Sequence, residues 1–348
     1  MADTSLARGT ARATDTRRSG RARGFSARGF SLRRISAIVT LRCLHAGRSG
    51  WFIIRLIPFI LCIQIELHPR PHGPRSVGEP MPYLELNGEN FHCHVDDYSD
   101  PWRAAEPVLL HHSAGGNLHR WRPWVPALAR RHRTVRFDMR GHAGTTSRSE
   151  VPFVITELAA DIARVMDALD VGKTHLVGAS AGGIVSLHFA HDFPDRLHSL
   201  TLVASTPRLA QMGADMDASG WGDTLRREGT RAWLLSDTDK RFGPDTPREV
   251  IDWYADEGAK TEASHVLALQ ACLLAADLAP LLPQINVPTL LLAARHDPIT
   301  PLEAQQLMAQ TMPNATLEIF DGVGHNMKVE IPETLARHTL DFIEAVPA

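Results

Sequence analysis

A serine in a turn of small residues is the first group in this sequence that could act as a nucleophile. Ser180 lies within Gly178-Ala179-Ser180-Ala181-Gly182, after the apolar pair Leu176-Val177 and before a run with helical character, 181–189. A strand, a tight turn and a helix in this order strain the serine backbone and raise its hydroxyl above the edge of a sheet. Negative charge that develops there would meet the free N–H groups at the start of the helix. The pattern predicts nucleophilic chemistry at Ser180, and a Gly-Ser turn that matches by chance is the simpler alternative.

A serine hydroxyl is a weak nucleophile and needs a base, which the second half of the chain could supply. Asp297 follows an apolar strand that ends at Ala294, and His325 follows the next strand, which ends at Phe320. In the fold that carries this serine turn, the three residues occur in the chain order Ser, Asp, His. Both side chains are therefore expected at the same sheet edge as Ser180, where ligands bind in open α/β sheets. The simpler interpretations are a helix N-cap for Asp297 and a loop histidine for His325.

Alternating apolar strands and helices predict the sheet that would position these residues. A hairpin is expected around Asn87-Gly88, and further strands are expected at 108–110, 134–138, 200–204, 288–294 and 316–320. Helices are expected at 121–131, 157–169, 181–189, 302–310 and 334–345. Strands that alternate with helices indicate a mostly parallel sheet with helices on both faces, which is an α/β fold.

The alternation stops at 207–283, where helical segments occur without a convincing strand. This segment follows about the sixth strand, so we expect a helical cap over the sheet edge that carries Ser180. The tryptophans of the cap, Trp221, Trp233 and Trp253, could form an apolar, partly aromatic wall that contacts a substrate. Packing of the cap onto the sheet is the simpler explanation for most such residues.

Charge and cysteine content limit the classes of function. The chain has 348 residues and a net charge of −2. Residues 1–80 contain fourteen Arg and four acidic residues, about +10, whereas 81–348 carry about −12. The acidic part lacks the basic stripe that nucleic-acid binding requires. The four cysteines have no C-x-x-C spacing, which indicates neither a zinc site nor a disulfide framework. We therefore expect no metal, no cofactor and no nucleic-acid partner.

The Arg-rich segment 1–80 differs from the rest of the chain and has three interpretations. The composition of 1–48 predicts disorder. The apolar stretch 51–67 is interrupted by an Arg and a Pro, and its unbroken part is shorter than the roughly 20 residues that span a bilayer. The segment could be an over-extended reading frame before a natural start at Met81, a targeting segment or a membrane tether. We expect 81–348 to be the functional domain, in the cytoplasm unless the leader directs it to an organelle or a membrane.

Several motifs together resemble the α/β-hydrolase superfamily over residues 81–348. They are the Ser180 turn, Asp138-x-Arg140-Gly141-His142, His296-Asp297-x-x-Thr300-Pro301, and Gly324-His325-x-x-x-x-Glu330-x-Pro332. The group that the combination resembles most contains 3-oxoadipate enol-lactonases, non-haem chloroperoxidase/esterases and meta-cleavage product hydrolases. The resemblance implies Ser180 as nucleophile, His325 as base and Asp297 as the residue that orients the base. It implies an α/β-hydrolase fold with the cap inserted as described above.

The resemblance also implies two backbone N–H groups that would stabilise an oxyanion. One belongs to the residue two places after the first His of a His-Gly loop, which corresponds to Ser113, and the other to Ala181, after the nucleophile. This sequence departs from the family pattern, because His111-His112 replaces His-Gly. The side chain of His112 is therefore expected beside the oxyanion site, as a candidate substrate contact. The Ser113 hydroxyl is a candidate for an extra donor or for a turn cap.

Together these residues predict a serine hydrolase that cleaves a carboxylic ester or a lactone through an acyl-enzyme on Ser180. C–C bond hydrolysis of meta-cleavage products uses the same three residues, and a non-catalytic small-molecule binder of this fold would keep the pocket. Both remain alternatives. The expected partner is a small-molecule ester or lactone, without a membrane, for a monomer or homodimer.

Charge also leads to an expected order of substrates. Neutral esters are expected to react before lactones, because the acidic domain disfavours strongly anionic substrates unless a local Arg cluster offsets its charge. Arg226, Arg227 and Arg231 in the cap are the candidates for such a cluster. A solvated helix face is the simpler interpretation of these three residues.

Overall fold

The computed structural model describes residues 42–44, 50–56, 59–65, 83–102, 105–147, 153–209 and 220–346. Contacts between Cα atoms divide the chain into two units, 1–73 and 74–348. Among the described residues, no helix has the length and apolar character needed to cross a membrane.

The first unit contains three strands in an antiparallel sheet. They are β1 (Arg42–Leu44), β2 (Gly50–Leu56) and β3 (Phe59–Ile65), in the order β1-β2-β3. The Ile- and Phe-rich sequence of β2 and β3 favours strands over a disordered leader. The prediction of disorder for 1–48 therefore differs from the structure at β1, and its part at 1–41 lies outside the described residues. The domain boundary at 80/81 stays a prediction.

The second unit is built on an eight-stranded sheet. Its strands are β4 (Tyr83–Leu86), β5 (Glu89–Asp96), β6 (Val108–His111), β7 (Thr134–Phe137), β8 (Thr174–Ala179), β9 (Leu197–Val203), β10 (Thr289–Ala294) and β11 (Ala315–Phe320). They lie in the order β11-β10-β9-β8-β6-β7-β5-β4. Strands β6 to β11 are parallel, whereas β5 pairs antiparallel with β7 and β4 antiparallel with β5. The predicted, mostly parallel α/β sheet is confirmed.

The turn between β4 and β5 is the tight hairpin that Asn87-Gly88 predicts. Asn87 has a φ of 53° and Gly88 a φ of 79°. A two-residue hairpin turn that matches the right-handed twist of its strands needs positive φ at both central positions. Asparagine and glycine adopt this conformation at low cost, so the pair fixes the register of β4 on β5.

Ten α-helices accompany the sheet. They are α1 (Val125–Leu128), α2 (Ile155–Ala168), α3 (Ala181–Asp192), α4 (Trp221–Leu235), α5 (Thr238–Arg241), α6 (Arg248–Gly258), α7 (Ala263–Ala275), α8 (Leu302–Thr311), α9 (Met327–Glu330) and α10 (Pro332–Ala345) among the described residues. Successive strand residues point to opposite faces. Leu176 accordingly joins the apolar cluster that contains α2 and α3, whereas Val177 joins the one that contains α10. The core therefore lies in two layers, one on each face.

The cap consists of α4 to α7 and lies between β9 and β10, the sixth and seventh strands of this sheet. Leu225, Trp233, Tyr254 and Val266 are buried in an apolar cluster that belongs to the cap itself. The helical cap is confirmed as predicted, and its residues 210–219 lie outside the described part of the chain.

The predicted helix at 121–131 is wrong in type over its first half. The chain forms a 3₁₀ helix at Leu118–Trp124 and then the four-residue helix α1. Pro123 has no N–H to donate, and Pro126 follows in the first turn of α1, so a continuous α-helical ladder cannot form there. The apolar spacing that indicated a helix is nevertheless used, because Trp121 and Trp124 are both buried against the sheet.

Candidate active site

Ser180 lies at the junction of β8 and α3, where the backbone is strained. Its φ is 51° and its ψ is −119°, a conformation that persists only when the surrounding structure enforces it. A Cβ on Gly182 would lie 2.3 Å from the carbonyl oxygen of His112, and one on Gly183 would lie 2.4 Å from Oγ of Ser205. Glycine at both positions lets α3 approach the loops after β6 and β9 closely. The small residues that single out this turn in the sequence are thus required by packing.

His325 and Asp297 meet Ser180 at the same edge of the sheet. Nε2 of His325 lies 3.0 Å from Oγ of Ser180, and Nδ1 lies 2.8 Å from Oδ2 of Asp297. An ionised carboxylate only accepts hydrogen bonds, so Nδ1 carries the proton and Nε2 is free to accept one from the serine hydroxyl. The structure therefore brings together the three residues that the sequence places at three separate strand ends.

The loop after β10 holds the carboxylate of Asp297 in place. Oδ1 accepts hydrogen bonds from the N–H of Ile299 at 2.7 Å and of Thr300 at 3.0 Å. Oδ2 accepts a short hydrogen bond from the Thr300 hydroxyl in addition to that from His325. The Asp297 side chain is fully buried. These contacts fix the orientation of the imidazole, whereas the neighbouring His296 is exposed to solvent.

The two predicted oxyanion donors lie beside the serine. Ala181 is the first residue of α3, where a backbone N–H has no acceptor within its own helix. Ser113 follows β6 in a turn that Gly116 closes by donating its N–H to the Ser113 carbonyl at 2.9 Å. Both residues line one cavity together with Ser180 and His325.

His112 does not line this cavity, so the expectation of a substrate contact is wrong. Its side chain is fully buried. Nε2 accepts a hydrogen bond from the N–H of Met139 at 2.7 Å, and Nδ1 donates to the carbonyl oxygen of Ser113 at 2.8 Å. Burial lowers the pKa of His112 well below its ordinary value, so the ring is neutral. The ring therefore holds the Ser113 turn in place from a position outside the cavity lining.

The cap supplies only part of the predicted pocket wall. Trp221 and Trp233 line the cavity, but Trp253 does not and instead packs, half-buried, on the apolar cluster of the cap. The next residue, Tyr254, lines the cavity in its place. Successive helical residues point about 100° apart, because 3.6 residues complete a turn. One of two aromatic neighbours on α6 can therefore face the cavity, and the sequence does not reveal which.

The Arg cluster expected at the cap lies away from the cavity. Arg226 and Arg227 pair with Asp223 at 3.2 and 3.1 Å, and Arg231 pairs with Asp256 at 2.7 Å. The three arginine side chains are about half to three-quarters exposed. They form the solvated helix face that was the simpler interpretation.

A different arginine, Arg241 at the end of α5, lines the cavity. Its guanidinium carbon lies 4.4 Å from the ring centre of Trp221 and 4.6 Å from that of Trp233. It also donates to the carbonyl oxygens of Ser236 and Trp233, at 3.2 Å each. Burial lowers the pKa of Arg241 to about 10, so the group stays charged at neutral pH. The cavity wall therefore contains a fixed, buried cation, and Lys240 lies beside it.

Two further buried cations surround Tyr254, and the sequence analysis missed both. The guanidinium carbon of Arg120 lies 3.4 Å from the ring centre of Tyr254. Nζ of Lys328 lies 5.3 Å from the same ring centre and donates to Oγ of Ser113 at 3.2 Å. Residues from three distant segments form this cluster. The available signal was a lysine in the apolar stretch just after His325.

Comparison with known proteins identifies the family of the fold. The family described as the alpha/beta hydrolase fold matches residues 106–331. The chain is 32% identical over 260 residues to a protein of Azorhizobium caulinodans named "Putative carbamate hydrolase RutD", covering 71% of this chain and 95% of the relative. It is 26% identical over 255 residues to 3-oxoadipate enol-lactonase 2 of Acinetobacter baylyi, covering 71% and 92%.

Among solved structures, the enol-lactonase from Burkholderia xenovorans LB400 superposes with a TM-score of 0.69 at 25% identity, covering 76% of this chain and 100% of that one. The family match, the sheet and the cap agree with the resemblance that the motifs indicated. The chain belongs to the α/β-hydrolase fold family.

Proposed function

We propose that this protein is a serine hydrolase that cleaves a carboxylic ester or a lactone through an acyl-enzyme on Ser180. Hydrolase activity is supported by the family and by the named relatives. The observation that carries the finer proposal is the continuous hydrogen-bonded chain from Ser180 through His325 to Asp297, at 3.0 and 2.8 Å. This arrangement activates a serine hydroxyl in enzymes of several unrelated folds.

In the first step, Oγ of Ser180 attacks the carbonyl carbon of the ester while Nε2 of His325 takes the hydroxyl proton. Negative charge moves to the carbonyl oxygen, beside the backbone N–H groups of Ala181 and Ser113. Asp297 stabilises the imidazolium that forms. The tetrahedral intermediate collapses when His325 returns the proton to the leaving alkoxide oxygen, which leaves the acyl group on Ser180.

In the second step, water attacks the acyl-enzyme with His325 again as the base. The carboxylic acid departs and the serine regains its proton, so the cycle is balanced without any added metal or cofactor. The assay that tests the proposal measures turnover of short esters, lactones and carbamates with and without a chelator. Turnover that disappears with chelator and returns with zinc would contradict it.

The lining of the cavity suits an apolar acyl group and contains one charged region. Ile184, Leu209 and Leu273 line it together with the two tryptophans. The objection to anionic substrates rested on the acidic charge of 81–348, which the exposed cap arginines do not offset at the cavity. The buried guanidinium of Arg241 supplies positive charge there instead. We therefore no longer expect neutral esters to be preferred on the ground of charge. A matched pair of esters, with and without a carboxylate, tests this through the ratio of KM values.

A carbamate is a second candidate substrate, because of the 32% identical relative named as a carbamate hydrolase. The same attack by Ser180 on a carbamate carbonyl would give a carbamoyl-enzyme. Carbamates in the same panel of substrates distinguish the two candidates, since the favoured class is the one with the higher kcat/KM.

A further inference from the structure

The Ser113 hydroxyl is held by two polar side chains that the reaction above does not use. Its Oγ lies 3.2 Å from Nζ of Lys328 and 3.3 Å from the Tyr254 hydroxyl oxygen. Ser113 is only 3% exposed. It nevertheless lines the cavity with Ser180, Ala181 and Tyr254. A small hydroxyl group therefore lies in the wall of the cavity that contains the Ser180 hydroxyl.

The chemistry of the neighbours decides where the Ser113 proton can point. Burial lowers the pKa of Lys328 from its ordinary value. In its ammonium form the group has donors only, so Oγ of Ser113 accepts from Lys328. A neutral Tyr254 can donate to the second lone pair of Oγ, which leaves the Ser113 proton free to point into the cavity. An ionised Tyr254 can only accept, and hydrogen bonds to a charged oxygen are stronger. It would therefore take the Ser113 proton away from the cavity.

We propose that the Ser113 hydroxyl is a third, switchable hydrogen-bond donor to the carbonyl oxygen of the substrate, and that Lys328 and Tyr254 are the positioning residues that direct its proton. The inference rests on the acyl-enzyme reaction proposed above, because the oxyanion of that reaction forms beside the Ser113 N–H. This donor is the side-chain hydroxyl of Ser113. It adds to the two backbone donors, which are the N–H groups of Ser113 and Ala181.

The charges around Tyr254 bring its ionisation into an accessible pH range. Burial alone raises the pKa of Tyr254, but Arg120, Lys328, the hydrogen bond with Ser113 and Arg241 together outweigh burial and lower the pKa to about 8. Arg120 stacks on the ring from the 3₁₀ helix, Lys328 approaches from α9 and Arg241 from α5. Cations therefore face the phenol from three different elements.

The carboxylates that act on the three buried cations have hydrogen-bond partners of their own. They are Glu257 for Arg120, Asp237 for Arg241 and Glu330 for Lys328. Glu257 accepts from Asn117 and Lys260, Asp237 accepts from Trp221 and pairs with Lys240, and Glu330 accepts from the N–H of Gly243 and of Gly324. None of these carboxylates has a hydrogen bond to the Tyr254 hydroxyl within the described part of the chain. Ionisation of Tyr254 would therefore add a negative charge in direct contact with Arg120 and near Lys328 as pH rises.

The experiment measures kcat and KM between about pH 6 and 10 with an unactivated alkyl ester, followed by titration of the released acid. Wild-type kcat should fall above about pH 8, as Tyr254 ionises and withdraws the Ser113 proton. In Ser113→Ala, kcat at pH 7 should fall roughly 10- to 100-fold with little change in KM, because a donor to the oxyanion acts in the transition state. The alkaline decrease should disappear in this variant.

Tyr254→Phe is the variant that tests the switch itself. It keeps the aromatic ring on which Arg120 stacks but cannot ionise. The ratio of kcat above about pH 8 to kcat at pH 7, measured within this variant, should therefore no longer fall. Tyr98→Phe is the matched control, because Tyr98 is 55% exposed and far from the cavity lining. If Ser113→Ala does not fold, Lys328→Met replaces it. Loss of the ammonium should raise the pKa of Tyr254 and shift the decrease to higher pH.

Two results separate failure of this inference from failure of the proposed function. If a fluorophosphonate labels Ser180 in the wild type and Ser113→Ala keeps wild-type kcat, the side-chain donor is disproved and the acyl-enzyme reaction stands. The same conclusion holds if the alkaline decrease persists in Tyr254→Phe. If the fluorophosphonate does not label Ser180 in the wild type, the reaction itself is wrong and the donor falls with it.

Discussion

A single imidazole ring connects the nucleophile to its carboxylate in this protein. In the proposed reaction, His325 receives the serine proton at Nε2 because Asp297 keeps the other ring proton at Nδ1. Asp297 in turn is held by three hydrogen bonds from Ile299 and Thr300. Removal of any one of these three side chains should therefore alter the hydrogen bonds of the other two.

Ser180→Ala should reduce kcat by several orders of magnitude while leaving the fold intact, because the three residues act as a unit. Steady-state kinetics on a short ester and the melting temperature check the two parts of this prediction. Ser99→Ala is the matched control, since the Ser99 hydroxyl donates to Asp97 on the exposed surface. A kcat within tenfold of wild type for Ser180→Ala would mean that another group is the nucleophile.

The sequence identifies these three residues because their signals are local. Ser180 is marked by small neighbours, and Asp297 and His325 by their places after apolar strands. The positions of His112 and Arg231 depend instead on tertiary contacts. His112 bonds to the backbone of Ser113 and Met139, and Arg231 pairs with Asp256 on α6, and no motif reveals these partners.

At the scale of elements, the close approach of α3 to the loop after β6 sets the geometry of the serine turn. A Cβ on Gly182 would lie 2.3 Å from the carbonyl oxygen of His112 and 2.5 Å from that of His111. Backbone atoms cannot move aside as a flexible side chain can. The helix would have to shift away, and the Ala181 N–H and Ser180 Oγ would move with it.

Gly182→Ala should therefore lower both the melting temperature and kcat. We expect a loss of about 1 to 3 kcal/mol in the free energy of unfolding, the range for overpacking of a tight site. Denaturant unfolding and ester kinetics measure the two effects. Gly172→Ala is the matched control, because a Cβ at Gly172 meets no atom within 4 Å. If Gly182→Ala and Gly172→Ala had the same free energy of unfolding and the same kcat, the close approach of α3 would not exclude a side chain at position 182.

Elements with strong periodicity could be predicted from the sequence, and clusters assembled from several elements could not. The strands β8, β10 and β11 follow from short apolar runs, since such runs typify buried parallel strands. The cations around Tyr254 come from a 3₁₀ helix, α5 and α9, and no sequence pattern links these segments. The 3₁₀ helix was also the element whose type was predicted wrongly.

At the scale of the whole molecule, several histidines are buried in the neutral form. Burial lowers the pKa of His111 to about 3, and the pKa values of His142 and His175 to about 4 each. The ordinary value is near 6.5, so the unfolded chain binds more protons than the folded one between these limits. The stability that these histidines contribute is therefore fully present above about pH 6.5 and is lost progressively as pH falls towards 4.

His175→Gln should make the free energy of unfolding less dependent on pH, because glutamine does not take up a proton. His175 suits this test because it lies near the start of β8 and does not line the cavity. Between pH 6.5 and 4, each such histidine reduces the free energy of unfolding by about 1.4 kcal/mol per pH unit. Denaturant unfolding at several pH values measures the slope. His191→Gln, at the end of α3, is the matched control. An unchanged slope in His175→Gln would contradict neutral burial of His175.

The segment 1–80 contains none of the residues proposed for catalysis. A chain that begins at Met81 should fold and keep the kcat of the full chain, because all eight strands of the sheet that carries Ser180 follow this point, the first being β4 at Tyr83. Expression of both forms, followed by melting and ester kinetics, tests the expected boundary. Insolubility or loss of kcat in the shorter chain would show that the leader supports the domain.

The acyl-enzyme on Ser180 is tested most directly by rapid quenching of the protein during turnover of a slowly hydrolysed ester, followed by mass spectrometry. We predict that the protein gains the mass of one acyl group, that the group lies on the peptide containing Ser180, and that Ser180→Ala gains none. Turnover of the ester without any acylated protein, or acylation at another residue that persists in Ser180→Ala, would contradict the proposed reaction.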